Sequence, residues 1–286
     1  MRYAYYPGCS YHSSGKEYEA STRLVAKNLG IELVDIPDWN CCGATAAHGK
    51  SHLLNIALPA RNLALAEEMG LDVVTPCAAC YQQLANANKE LREDENLLEK
   101  VNKATGKNYK ATLKVKSILE AIGSLDPDYI KAQIVKPLKG LVVAAYYGCL
   151  LVRPPSVTGF DDPENPVFMD RLMQLAGAEA VDWPHKTECC GGALQVSNVE
   201  IVARLLNKIY KEAVKSGANC LVVACPLCHF NLDACQQTCN KLLGTSYEIP
   251  VFYFTQLLGL AMGLNQKELQ FDSHFTDTQK ALKLVG

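Results

Sequence analysis

No basic surplus marks this sequence: 28 Lys and Arg face 30 Asp and Glu, a net charge of −2 over 286 residues. A protein that tracks nucleic-acid phosphates needs a cationic face, so that class is set aside. Long apolar runs are missing as well. Residues 141–152 and 251–264 are the longest, and Thr255 and Gln256 interrupt the second. Neither reaches the ~18 apolar residues of a membrane span. Met1-Arg2-Tyr3 leads straight into a strand-like run, without the apolar block and small-residue cleavage site of a signal peptide; the chain reads as cytoplasmic. There is no G-x-G-x-x-G dinucleotide loop and no C-x2-C-x2-C-x3-C-P ferredoxin run. Gly49-Lys50-Ser51 ends like a phosphate loop, but Gly43 stands one residue too far upstream for the full motif.

Thirteen cysteines are what the sequence has in excess. In a reducing compartment they point to metal or redox chemistry rather than to disulfides, and an odd count does not suit a fully paired framework. Isolated cysteines are often just small buried hydrophobes. Ten of these are not isolated, because their spacing repeats. Cys9, Cys41, Cys42, Cys77 and Cys80 form C-x31-CC-x34-C-x2-C, and Cys149, Cys189, Cys190, Cys225 and Cys228 form C-x39-CC-x34-C-x2-C. Local context repeats too: Tyr6-Pro7-Gly8-Cys9 answers Tyr146-Tyr147-Gly148-Cys149, and Cys41-Cys42-Gly43 answers Cys189-Cys190-Gly191. The chain reads as a tandem duplication, with a first half over 1–139 that includes a helical connection, and a second over 140–286 that includes a C-terminal extension.

Each half alternates strand and helix patterns, the signature of parallel strands joined by crossovers. In the first half the pattern gives strands at 2–6, 31–36 and 71–75 and helices at 16–28 and 51–69. In the second it gives strands at 141–145, 178–183 and 220–224 and helices at 166–176 and 197–216. Ser197 and Glu200 suggest a capping box for the last helix. Helices at 90–103 and 113–125 fill the charged connection, and the segment after Pro250 has no counterpart in the first half. The fold class is therefore α/β: two duplicated Rossmann-like halves with short parallel sheets, related by a pseudo-two-fold. Every cysteine group follows a strand, so all should gather where open α/β sheets place ligands.

Five thiols per half leave one idle in a closed four-ligand zinc site, and one idle in an ordinary four-thiolate cluster. The glycines after each CC pair let backbone approach an inorganic centre. The doubled pattern closely resembles the CCG-domain proteins, and nearly the whole chain is similar to the B-subunit family of the heterodisulfide reductases. That resemblance implies two noncubane [4Fe-4S] clusters, each held by the five cysteines of one motif. It implies the reductive splitting of a mixed disulfide of the coenzyme M–coenzyme B type to two thiols, as in methanogenesis. It also implies partners: a ferredoxin-like iron–sulfur subunit and, through it, a flavin-containing subunit. The missing ferredoxin and nucleotide motifs agree with electrons arriving from elsewhere. The competing reading is a non-catalytic electron-transfer subunit of a bacterial oxidoreductase complex with a different acceptor, and a zinc-stabilised scaffold is a third.

Outside the repeat, Cys220, Cys235 and Cys239 are expected to be packing or inert thiols. His12 and His185 are candidate proton donors to a leaving thiolate, and His229 is a neighbour of the cysteines rather than a ligand. An anionic disulfide calls for positive charge nearby, for which Arg153, Lys186, Lys16 and Lys50 are the candidates.

Overall fold

In the computed structural model the described residues are 1–44, 47 and 49–285, with only the backbone of His12. Two four-stranded sheets, each wholly parallel, carry the fold. The first contains β1 (Arg2–Tyr5), β2 (Glu32–Asp35), β3 (Val73–Thr75) and β4 (Val115–Ser117), in the order β2-β1-β3-β4. The second contains β5 (Val142–Tyr146), β6 (Glu179–Ala180), β7 (Cys220–Val223) and β8 (Val251–Tyr253), in the matching order β6-β5-β7-β8. Central β7 is buried along its whole length, as strands covered on both faces must be.

Helices return the chain between strands. In the first half these are α1 (Lys16–Asn28), α2 (His52–Glu68), α3 (Ala78–Glu93), α4 (Glu95–Thr105), α5 (Ile118–Gly123) and α6 (Pro127–Ala132). The second half has α7 (Phe168–Leu175), α8 (Val199–Lys215), α9 (Pro226–Ala234), α10 (Gln236–Leu243), α11 (Phe254–Ala261) and α12 (Gln279–Leu282). No helix among the described residues is long and apolar enough to cross a membrane.

The halves exchange helices across their boundary. Helix α1 packs on α11, where Ser21 Oγ and Thr255 Oγ1 meet 2.7 Å apart in the interior. Helix α5 packs on α7, and Gly123 lies so close to the Phe168 ring that a Cβ there would come within 2.6 Å of it. Thus the helix after the first strand of each half lies on the helix after the fourth strand of the other. That reciprocity is the mark of a pseudo-two-fold. One continuous core runs through both halves from Tyr3 to Val285, and a second, including Tyr6, Leu63 and Tyr109, covers the outer face of the first sheet.

Four sequence expectations change. Residues 113–125 are not one helix: they open with strand β4, whose backbone pairs with β3, before α5 begins. The segment after Pro250 does have a counterpart, because β8 and α11 repeat β4 and α5. The helix expected at 90–103 is split at Asp94, whose extended backbone ends α3 while its carboxylate accepts from Leu97 N to start α4. Asn198, not Ser197, caps α8 by accepting from Ile201 N.

Candidate functional site

All ten repeat cysteines sit beyond the C-terminal ends of strands. Cys9 opens a short 3-10 turn after β1, Cys41 and Cys42 lie in the loop after β2, and Cys77 is the residue before α3 with Cys80 in its first turn. The second half repeats this with Cys149 after β5, Cys189 and Cys190 after β6, and Cys225 and Cys228 at the start of α9.

The loops are held by matching devices. Tyr6 Oη donates to the carbonyl of Asn40, the residue before the first CC pair, at 2.8 Å. Tyr146 Oη donates to the carbonyl of Glu188, before the second, at 2.6 Å. Asn62 clamps Asn40 through both its backbone groups, and Asn231 donates to the Cys190 carbonyl. Gly8 and Gly148 have positive φ, +80° and +68°, and a Cβ on them would lie 3.1 Å from Cys80 Sγ and 3.0 Å from Cys228 Sγ. A side chain at either position is both strained and crowded against a thiol.

Six of the thiols form one string, with a pair beyond each end. Cys42 and Cys80 are 3.5 Å apart, Cys190 and Cys228 are 3.7 Å apart, and hydrogen bonds link Cys80 with Cys77 and Cys228 with Cys225. Cys77 and Cys225, the first members of the two CxxC pairs, bond each other across the pseudo-two-fold. Cys9 pairs with Cys41, and Cys149 with Cys189, at the two outer ends. Cys9, Cys41 and Cys189 are exposed, whereas both CxxC pairs are buried. The contact with Cys80 lowers Cys42 to about 7, and that with Cys149 lowers Cys189 to about 6. Their partners move the other way: Cys80 and Cys149 are raised by the same contacts and by burial. Thiolate character, the form that binds metal, thus falls at Cys42, at Cys189 and, through its contacts with Cys228 and Cys77, at Cys225.

A cavity of about 220 Å³ opens on the first set. All five of its cysteines line it, with Ser10, Ser13 and Ser14 on one side and Pro226, Leu227 and Phe230 from the second half on the other. Ten sulfur donors in two fives, with glycine wherever a Cβ would press on a thiol, fit an iron–sulfur centre. They exceed the four donors of a closed zinc site.

The remaining sequence candidates are placed as follows. Arg153 donates to Glu164, Thr187 and the Pro163 carbonyl, and Lys186 is buried with its ammonium 3.0 Å from Asp170. The Lys186 charge is matched in the interior, and the Arg153 charge at the surface. Lys16 and Lys50 are exposed. Ser51, the last residue of the false phosphate loop, spends its hydroxyl capping α2. His185 Nδ1 is buried with no hydrogen-bond partner among the described residues. The His12 side chain lies outside the described residues. Cys220 is buried in β7, Cys239 donates to the Ala203 carbonyl, and Cys235 bonds Gln195 and Asn231.

His229, Asp233 and His274 bring ligand-type atoms within 4.8 Å of one another. Hydrogen bonding argues against an ion there. Gln256 Oε1 accepts from Tyr253 N, so its Nε2 is the donor facing His274 Nε2. The neutral ring then carries its proton on Nδ1, the atom turned to His229 and Asp233. Missed in the sequence were the loop-pinning roles of Tyr6 and Tyr146. Their signal was present, since a Tyr stands three residues before Cys9 and before Cys149.

Comparison with known proteins agrees with the duplication. The model of the CCG cysteine-rich domain matches twice, at residues 3–85 and 143–233. The chain is 36% identical over 274 residues to the B subunit of a CoB-CoM heterodisulfide reductase of Methanosarcina acetivorans, covering 93% of this chain and 91% of that one. It is 34% identical over 281 residues to the 8-methylmenaquinol:fumarate reductase membrane anchor subunit of Wolinella succinogenes, covering 97% and 98%. Among solved structures, a hypothetical protein from Helicobacter pylori superposes with a TM-score of 0.76 at 15% identity, covering 97% of this chain and 52% of that one. The last likeness concerns the fold alone.

Proposed function

The chain belongs to the CCG cysteine-rich domain family, and from that premise we propose that it is the disulfide-reducing subunit of a heterodisulfide-reductase-type complex. Its cofactors are then two noncubane [4Fe-4S] clusters, one held by Cys9, Cys41, Cys42, Cys77 and Cys80, the other by Cys149, Cys189, Cys190, Cys225 and Cys228. The observation that carries this reading is the gathering of ten thiols in two sets of five, with Cys77 beside Cys225 where the halves meet.

When bound, such clusters supply one-electron chemistry, and splitting a disulfide takes two electrons and two protons to give two thiols. The protein's own part is to shape the place where this happens. Leu227 and Phe230 give the cavity over the first set an apolar side, while the hydroxyls of Ser10, Ser13 and Ser14 offer hydrogen bonds to a sulfur in the cavity. For an anionic disulfide the uncommitted charges are Lys16 and Lys50, since Glu164 and Asp170 already match Arg153 and Lys186. Electrons come from a partner protein, for which the iron–sulfur and flavin subunits of the heterodisulfide reductase type are the candidates.

The Wolinella relative supports a second reading. Its coverage is nearly complete and it is named as a membrane anchor of a quinol:fumarate reductase, so an electron-transfer role with a different acceptor suits this chain as well. One assay separates the two. The anaerobically reconstituted chain, driven by a reduced viologen, is offered a mixed disulfide, and free thiols are counted. Two thiols per disulfide consumed, with no turnover on NADH or NADPH alone, is the expected result. Full cluster content with no thiol release assigns the chain to electron transfer.

A further inference from the structure

Two tyrosines meet beside the junction of the thiol strings, one from each half. Tyr18 comes from α1 and Tyr253 from the end of β8, and their rings stack 4.1 Å apart at 6°. Tyr253 also stacks on His229, again at 4.1 Å. Both tyrosines are buried, at 1% and 0% exposure, and neither hydroxyl has a hydrogen-bond partner among the described residues. Thr22 and Thr75, the latter two residues before Cys77, also have buried hydroxyls without one.

An unsatisfied buried hydroxyl costs about 1–3 kcal/mol, and native interiors leave few of them. The other buried tyrosines show the usual outcome: Tyr81, Tyr109 and Tyr210 each donate to a named oxygen. What distinguishes Tyr18 and Tyr253 is their neighbour. Burial is the largest cause holding both well above the ordinary phenol value; for Tyr253 the Glu17 carboxylate comes next, and the Cys225 and Cys77 thiols add to it in each case. Among the described residues neither an oxygen nor a thiol sulfur lies within hydrogen-bonding reach of either hydroxyl, so an acceptor for both would be a group bound at the junction.

We propose that the Tyr18 and Tyr253 hydroxyls donate hydrogen bonds to the sulfur centre at the Cys77–Cys225 junction, and that the pair sets the reduction potential of the clusters there. Anionic sulfur is the acceptor chemistry available at that place. Hydrogen bonds to cluster sulfur are among the protein's main controls on potential. They stabilise the reduced form, which carries more negative charge, so the pair raises the potential. One ring comes from each half, so the control is shared across the pseudo-two-fold. Tyr18 and Tyr253 are positioning residues in this sense, and the inference rests on the cluster reading above.

The test is a redox titration of the full-length, cluster-loaded chain, followed by electron paramagnetic resonance, with iron measured on each sample. Tyr18→Phe and Tyr253→Phe should each keep wild-type iron and shift the one-electron equilibrium about tenfold toward the oxidised form, about 59 mV lower. Tyr109→Phe, which removes a satisfied buried hydroxyl elsewhere, should shift nothing. Iron-loaded variants with unmoved potentials overturn the proposal, as does an equal shift in Tyr109→Phe. Loss of iron from both variants with native circular dichroism also overturns it, since a tuning hydroxyl is not needed to hold the metal. A wild-type chain that takes up no iron overturns the cluster reading itself, and this one with it.

Discussion

Two residues of the same type meet opposite fates here. Cys190 is buried 3.7 Å from Cys228, in the string of thiols, whereas Cys220 is equally buried but sits inside a strand with apolar neighbours. Cys42→Ser and Cys190→Ser should lose iron from their own set, measured by metal analysis, and Cys220→Ala should keep it. A second consequence concerns Glu17, a carboxyl buried in α1 whose burial raises it to about 7 from an ordinary 4.5. The folded chain thus holds a proton there that the unfolded chain gives up. The stability this brings is complete below pH 4.5 and is lost as pH rises through 7. Glu17→Gln should therefore gain in Tm over the wild type between about pH 5 and pH 8; a constant difference across that range would contradict the assignment. The two cysteine sets that the fold gathers were legible in the sequence, because the spacing of 34 between CC and CxxC repeats without change. Glu17 and Tyr18 were not, because nothing local marks a helix residue that will face another domain half.

At the scale of elements, short strands were what periodicity could not show. Strand β4 has three residues, Val115, Lys116 and Ser117, too few to display an alternation against the helical pattern of α5 that follows. Its strand character comes from pairing with β3, a tertiary cause. Once β4 is seen, β8 is its twin, and the segment after Pro250 stops being an appendage. Caps show the same limit: Ser197 and Asn198 are both good N-cap residues, and only the backbone geometry chooses. Asn198→Ala should cost about 1 kcal/mol of stability in chemical denaturation, while Ser197→Ala, whose hydroxyl reaches only the Leu194 carbonyl at 3.4 Å, should cost little. Equal losses would mean the cap has been misassigned.

For the whole molecule, the duplication explains why one chain has two cysteine sets and a core shared by both halves. Each half alone would expose the helix face that the other covers, α1 without α11 and α7 without α5. The same exchange brings Cys77 against Cys225 and stacks Tyr18 on Tyr253, so the two thiol sets are built as a pair. The gathering of cysteines at the strand ends was legible from strand–helix alternation. The charges were less so: sequence proximity put Arg153 and Lys186 near the cysteines, but their pairing with Glu164 and Asp170 depends on loop paths that no motif encodes. The central claim is that ten thiolates hold two four-iron clusters. Iron, zinc and acid-labile sulfide, measured together on the anaerobically purified full-length chain, test it most directly. Two clusters predict about eight iron and about eight sulfide per chain with no stoichiometric zinc; zinc without sulfide, or about four iron, would contradict it.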